Sequence, residues 1–120
     1  FHWMEESQHA ILDELEWKRE DANITVEERD QGVDELIQLA AFIDSILQAQ
    51  SKSDVAHFAA TCSRTVTSDE IEMLETGVLR AYRWQFIFSG AEHPHFQKII
   101  AGMITEAQGE RIGSALATMS

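Results

Sequence analysis

Val33, Leu36, Ala40, Ile43 and Leu47 recur at alternating spacings of three and four residues, while Glu27, Asp34, Gln38, Ser45 and Gln48 take the opposite side. A helix with 3.6 residues per turn brings the first set onto one face, so the pattern predicts an amphipathic helix. Its start is marked by Thr25-Val26-Glu27-Glu28, a capping box in which the threonine oxygen and the glutamate three residues on satisfy each other's orphan backbone donors. The stripe predicts that this helix ends near Ala49. Gln50-Ser51-Lys52-Ser53 then reads as a break, with Ser53 and Asp54 capping a shorter helix through Val55, Phe58, Ala59 and Cys62.

The same logic continues along the chain. Thr67-Ser68-Asp69-Glu70 is a second capping box and opens a helix through Ile71, Leu74, Val78, Ala81, Tyr82 and Gln85 to Phe88, which Ser89-Gly90 stops. His93-Pro94 places proline at a first helical position ahead of Phe96, Ile99, Ile100 and Met103. Thr105-Glu106-Ala107-Gln108 repeats the box before Ile112, Leu116 and Met119. Ahead of all these, a first helix from about Phe1 to Glu20 has no N-cap, because the periodic pattern is already under way at position 1. The expectation is an all-α fold, a helical bundle of five or six helices in one domain over residues 1–120.

Composition narrows the function classes. One proline and six glycines in 120 residues leave few helix breakers. Nine Lys+Arg against 21 Asp+Glu give a net charge of -12, which excludes nucleic acid as a partner because phosphate binding needs clustered cations. No 18-residue apolar run is present, so no membrane span is expected. Cys62 is the only cysteine and cannot form an intrachain disulfide, which points to a reducing cytoplasm, with the thiol in the core. The chain does not begin with methionine, and its beginning is expected to lie inside a longer protein.

Candidate chemistry concentrates in the first helix. Taking His2 as zero at ~100° per residue, Glu6 falls at ~+40°, His9 at ~−20°, Asp13 at ~+20°, Glu5 at ~−60° and Glu16 at ~−40°. This face holds carboxylates and imidazoles without Lys or Arg; Lys18 and Arg19 sit elsewhere on the helix. A solvated face ordinarily mixes charge signs to gain i,i+4 pairs, whereas this one crowds like charges that a cation would relieve. Carboxylates can bridge two metal ions, imidazoles give neutral nitrogen donors, and Glu6-x-x-His9 aims one of each into a common cavity, with His2 one turn earlier.

The stretch FHWMEESQHAILDE resembles the ligand-bearing helix of ferritin-like di-metal carboxylate proteins, especially the p-aminobenzoate N-oxygenase type, whose late bundle helix carries His-x-x-x-Glu-x-x-His. It is also similar to the Trp-His…Glu-Glu-x-x-His pattern of bacterial proteins labelled predicted metal-dependent hydrolases. The resemblance implies a ferritin-like bundle, or a fragment of one, with iron or manganese held by His2, Glu6 and His9. Glu5 is the alternative carboxylate. Asp13 would orient an imidazole by accepting a hydrogen bond from its distal N–H. It also implies oxygen-dependent oxidation of a small organic substrate. In such proteins earlier helices supply the other ligands, a Glu-x-x-His pair among them. Those helices have no counterpart here, so the chain looks like the C-terminal part of such a protein.

Other clusters have plainer readings. Asp54-x-x-His57 is a carboxylate-histidine pair whose aspartate a helix start would explain. Glu92-His93-Pro94-His95 sits at a turn and suits capping, and Glu72 and Glu75 suit solvent. Arg80, Arg83 and Trp84 suit an interhelix salt bridge, and Tyr82, the methionines and Phe86-Ile87-Phe88 suit the core. Two readings stand: a di-iron or di-manganese carboxylate oxidoreductase, complete or truncated, or a metal-free helical interaction module. Trp3, Met4, Ile11, Leu15 and Trp17 cover most of the first helix outside its stripe, so that helix is expected to be buried, by the chain or a partner. A homodimer through a two-fold contact is the expected arrangement.

Overall fold

The structure, a computed structural model, describes residues 2–120. Its elements are α1 (His2–Asp21), α2 (Val26–Thr61), α3 (Ser68–Arg83), a π segment (Trp84–Phe88), α4 (Ser89–Ala91), α5 (Pro94–Ala101) and α6 (Glu106–Ala117). α3, the π segment and α4 follow one another without a break, so the chain forms five helical rods, with no strand among the described residues. Phe1, the expected start of the first helix, lies outside the described residues. No helix among them is long and apolar enough to cross a membrane.

The three threonine caps hold as the sequence predicts: Thr25, Thr67 and Thr105 each accept from the backbone N–H three residues on, and Glu28, Glu70 and Gln108 each reach back to the cap. The expected break at Gln50–Ser53 is absent, and α2 runs unbroken for 36 residues. Two of the polar residues at the expected break bond within the helix. Ser51 donates to the Gln48 carbonyl at 3.0 Å, and Gln50 Nε2 donates to Asp54 Oδ1 at 2.8 Å. Ser51 is also small enough to be buried at 2% exposure, so it serves as a packing residue where the sequence suggested a turn. Asp54 is therefore no cap; it accepts from the Tyr82 hydroxyl on α3.

The core is narrow. Leu47 of α2, Ile87 of the π segment and Met119 beyond α6 meet at its centre, with Ala40, Ile43, Leu79, Tyr82, Phe88 and Leu116 packed around them. The π segment carries the Ser89 N–H back to the carbonyl of Trp84. That wider turn sets Ile87 inward, while Phe86 stays 62% exposed, contrary to a run lying wholly in the core. Met4 and Met73 are exposed as well, since neither meets a facing helix.

Across the α2–α3 contact, Arg83 donates to both oxygens of Asp44, Nε to Oδ1 at 2.6 Å and a terminal nitrogen to Oδ2 at 3.0 Å. Gln48 Nε2 adds a third donor at 2.6 Å. Asp44 is 6% exposed, and the guanidinium, followed by Gln48, holds its carboxyl below the ordinary range. At the other end of α2, Gln108 and Arg111 of α6 donate to Asp30 at 3.0 and 2.8 Å.

The molecule is open for its size. Its radius of gyration is 18.4 Å, against about 14 Å for a compact domain of this length. It exposes 8948 Å², about 2,400 Å² more than a compact monomer of its mass.

Candidate functional site

Among the described residues, the contacts that tie α1 to the rest of the molecule lie along its last two turns. Trp17 packs on Phe96 of α5 with ring centroids 5.9 Å apart. His95 Nε2 lies 2.8 Å from Glu14 Oε2, and Arg29 Nε donates to Asp21 Oδ1 at 2.9 Å. Glu14 also accepts from Lys18, and that bond, with the one from His95, lowers its carboxyl from the ordinary value. Nothing in the spacing marks Glu14, which lies off the acidic stripe, as a partner of His95, because the pairing depends on how α5 returns toward α1.

From His2 to Asp13 the helix projects away from the body, and α1 has no buried residue. Trp3 is 83% exposed. The expected burial of this helix is thus not supplied by the chain itself, since the core closes on α2, the π segment and α6.

On this projecting part the structure brings His2, Glu6 and His9 together. Glu6 lies between the imidazoles, one oxygen 3.9 Å from His2 Nδ1 and the other 3.8 Å from His9 Nδ1. All three side chains are open to solvent. Glu5 and Asp13 are exposed on the same helix and make no side-chain hydrogen bond among the described residues. Glu16 departs from the wheel: Arg19 reaches over to bind it, together with Glu20. The cation-free stripe therefore ends at Asp13.

Among the described residues no group of three or more His, Cys, Asp or Glu stands where it could together hold a metal ion. The geometry of a single helix explains why. At 1.5 Å rise per residue, His2 and His9 are about 10 Å apart along the axis, so they address different points with Glu6 between them. Such a row by itself is at most one wall of a site. The donor types suit iron or manganese, but enclosing an ion takes carboxylates from facing helices, and among the described residues no helix faces this row.

The remaining candidates fall elsewhere. Asp54 bonds to Tyr82 and Gln50, and among the described residues it makes no hydrogen bond to His57. His93 caps α5, its Nδ1 accepting from the His95 backbone N–H at 3.2 Å. Arg83 is the interhelix partner its cluster suggested. Cys62 is a half-buried free thiol. An open apolar groove of about 710 Å³ lies between α2, the π segment, α5 and α6, with Leu39, Ile43, Phe86, Phe96, Ile100 and Ile112 among its walls. None of the α1 stripe residues lines it.

Comparison of the chain with protein-family models, curated proteins and solved structures finds no match.

Proposed function

We propose that α1 supplies one wall of a carboxylate-bridged two-metal centre of iron or manganese, in an oxidoreductase acting with oxygen on a small organic substrate. The observation that carries this reading is the placement of Glu6 between His2 and His9, at 3.9 and 3.8 Å, on a helix face without Lys or Arg. In this reading His2 and His9 are the nitrogen donors and Glu6 the bridging carboxylate. Glu5 is the alternative bridge, and Asp13 orients the His9 imidazole. The metal pair supplies oxygen activation when bound. The chain's own contribution is to hold two imidazoles and a carboxylate in register along one rigid helix.

The facing donors come from helices packed against α1, whether from further chain or from a second copy that pools its own His2, Glu6 and His9 in a homodimer. A reducing cytoplasm suits both Cys62 and the reduced metals.

Isothermal titration with manganous ion, under nitrogen, tests the reading on the full chain. The monomer, with one wall only, should bind the ion weakly or not at all; where two copies face each other through α1 and pool His2, Glu6 and His9, wild type should take up the ion with measurable heat, and Glu6→Ala with His9→Ala should abolish it. Identical curves would refute the ligand assignment.

The second reading, a metal-free helical interaction module, is supported by large apolar side chains left open to solvent, Trp3 at 83% and Phe42 at 63% exposure. Identical titrations would select it.

A further inference from the structure

α2 has two apolar faces, and only one of them is used. The inner face, with Val33, Leu47, Ser51 and Val55, is buried. On the opposite side Leu39, Phe42, Ile46, Ala49, Ser53 and Ala56 follow at alternating steps of three and four, and all six are exposed. Leu39 is 54% exposed, Phe42 63% and Ile46 49%. This is the spacing of a two-helix seam; Leu39 also edges the groove toward α5 and α6, and among the described residues no helix covers the row from Phe42 to Ala56.

Charge and side-chain size say what fits there. Although the net charge is -12, the only carboxylates between Leu36 and Cys62 are Asp44 and Asp54. Both are turned onto α3, against Arg83 and Tyr82. From Leu39 to Ala56 the outer face of α2 is thus an acid-free strip on an acidic molecule, where a second copy can approach without like-charge repulsion. Large side chains fill the first half of the seam and small ones the second. Parallel pairing would set Phe42 on Phe42 and Glu35 on Glu35. Antiparallel pairing about a two-fold axis at Ile46 sets Leu39 against Ser53, Phe42 against Ala49, and Glu35 beside His57.

We infer that two copies of this chain pair antiparallel through the outer face of α2, with Ile46 on the two-fold axis. The inference stands independently of the metal reading, since it uses no residue of α1.

Sedimentation equilibrium of the full chain in a Cys62→Ser background, joined to cysteine cross-linking, tests it. Wild type should be dimeric, and Ile46→Glu should be monomeric with its helical circular dichroism retained. Under mild oxidation Ile46→Cys should link to itself, whereas Leu39→Cys should link only to Ser53→Cys in a mixture of the two. A monomeric wild type, a dimer indifferent to Ile46→Glu, or Leu39→Cys linking to itself as readily as Ile46→Cys would each overturn the inference. If Ile46→Glu loses its helical signal, the cross-linking pattern alone decides.

Discussion

Replacing Arg83 with methionine removes both donors to Asp44 (2.6 and 3.0 Å) and leaves that carboxylate only Gln48. Methionine and arginine have similar helix propensities, so the helix itself is little perturbed. Removing one member of a fully buried pair costs about 3–5 kcal/mol. Here the Arg83 side chain keeps 20% of its surface in solvent, so water can reach the vacated side, and about 2–3 kcal/mol is expected. In urea denaturation, with a slope of roughly 1–3 kcal/mol per molar, the midpoint should fall by about 1 M or more.

Arg83→Met combined with Asp44→Leu removes both charges and should cost under about 1 kcal/mol, exposing a coupling of similar size to the single loss. The pH dependence has a definite sign. Asp44 is held below its ordinary value by Arg83, so its stabilisation is complete above the unfolded aspartate value of about 3.9 and is lost as pH falls through the lower folded value. Without Arg83 the carboxyl protonates at higher pH, so the gap between wild type and variant should be widest at neutrality and close in acid. A loss below about 0.5 kcal/mol, or one unchanged from pH 7 to pH 3, would refute the reasoning.

Tyr82 is the only tyrosine, and its hydrogen bond to Asp54 raises its pKa above the ordinary value; its phenolate absorbance should therefore appear above pH ~10 and shift down in Asp54→Asn, and a wild-type midpoint at or below that value would contradict the contact. Trp17→Ala removes the ring contact with Phe96; amide exchange over His2–Leu15 should quicken while α2 is unaffected, and unchanged exchange would mean that α1 is held by something else.

The sequence carries local information well. Each threonine cap and the His93-Pro94 start could be read because cap and partner lie within three residues of each other. The break expected in α2 is absent for the complementary reason: Gln50, Ser51 and Ser53 resemble a turn locally, but Ser51 is buried and bonds back to Gln48 within the helix. The π segment has no local marker, and its effect, Ile87 inward and Phe86 outward, depends on Leu47 and Met119 being there to receive Ile87. At the candidate site, the helical wheel was enough to group His2, Glu6 and His9. It did not show Arg19 folding onto Glu16, nor His95 returning to Glu14, because side-chain reach and interhelix docking are not functions of spacing.

The ligand assignment on α1 is tested most directly by pulsed electron paramagnetic resonance of the chain with manganous ion, reading nitrogen couplings at the metal. The account predicts nitrogen coupling in wild type that weakens in His9→Ala and disappears in His2→Ala with His9→Ala. Absence of any nitrogen coupling with manganese bound, or coupling that survives the double substitution, would contradict it.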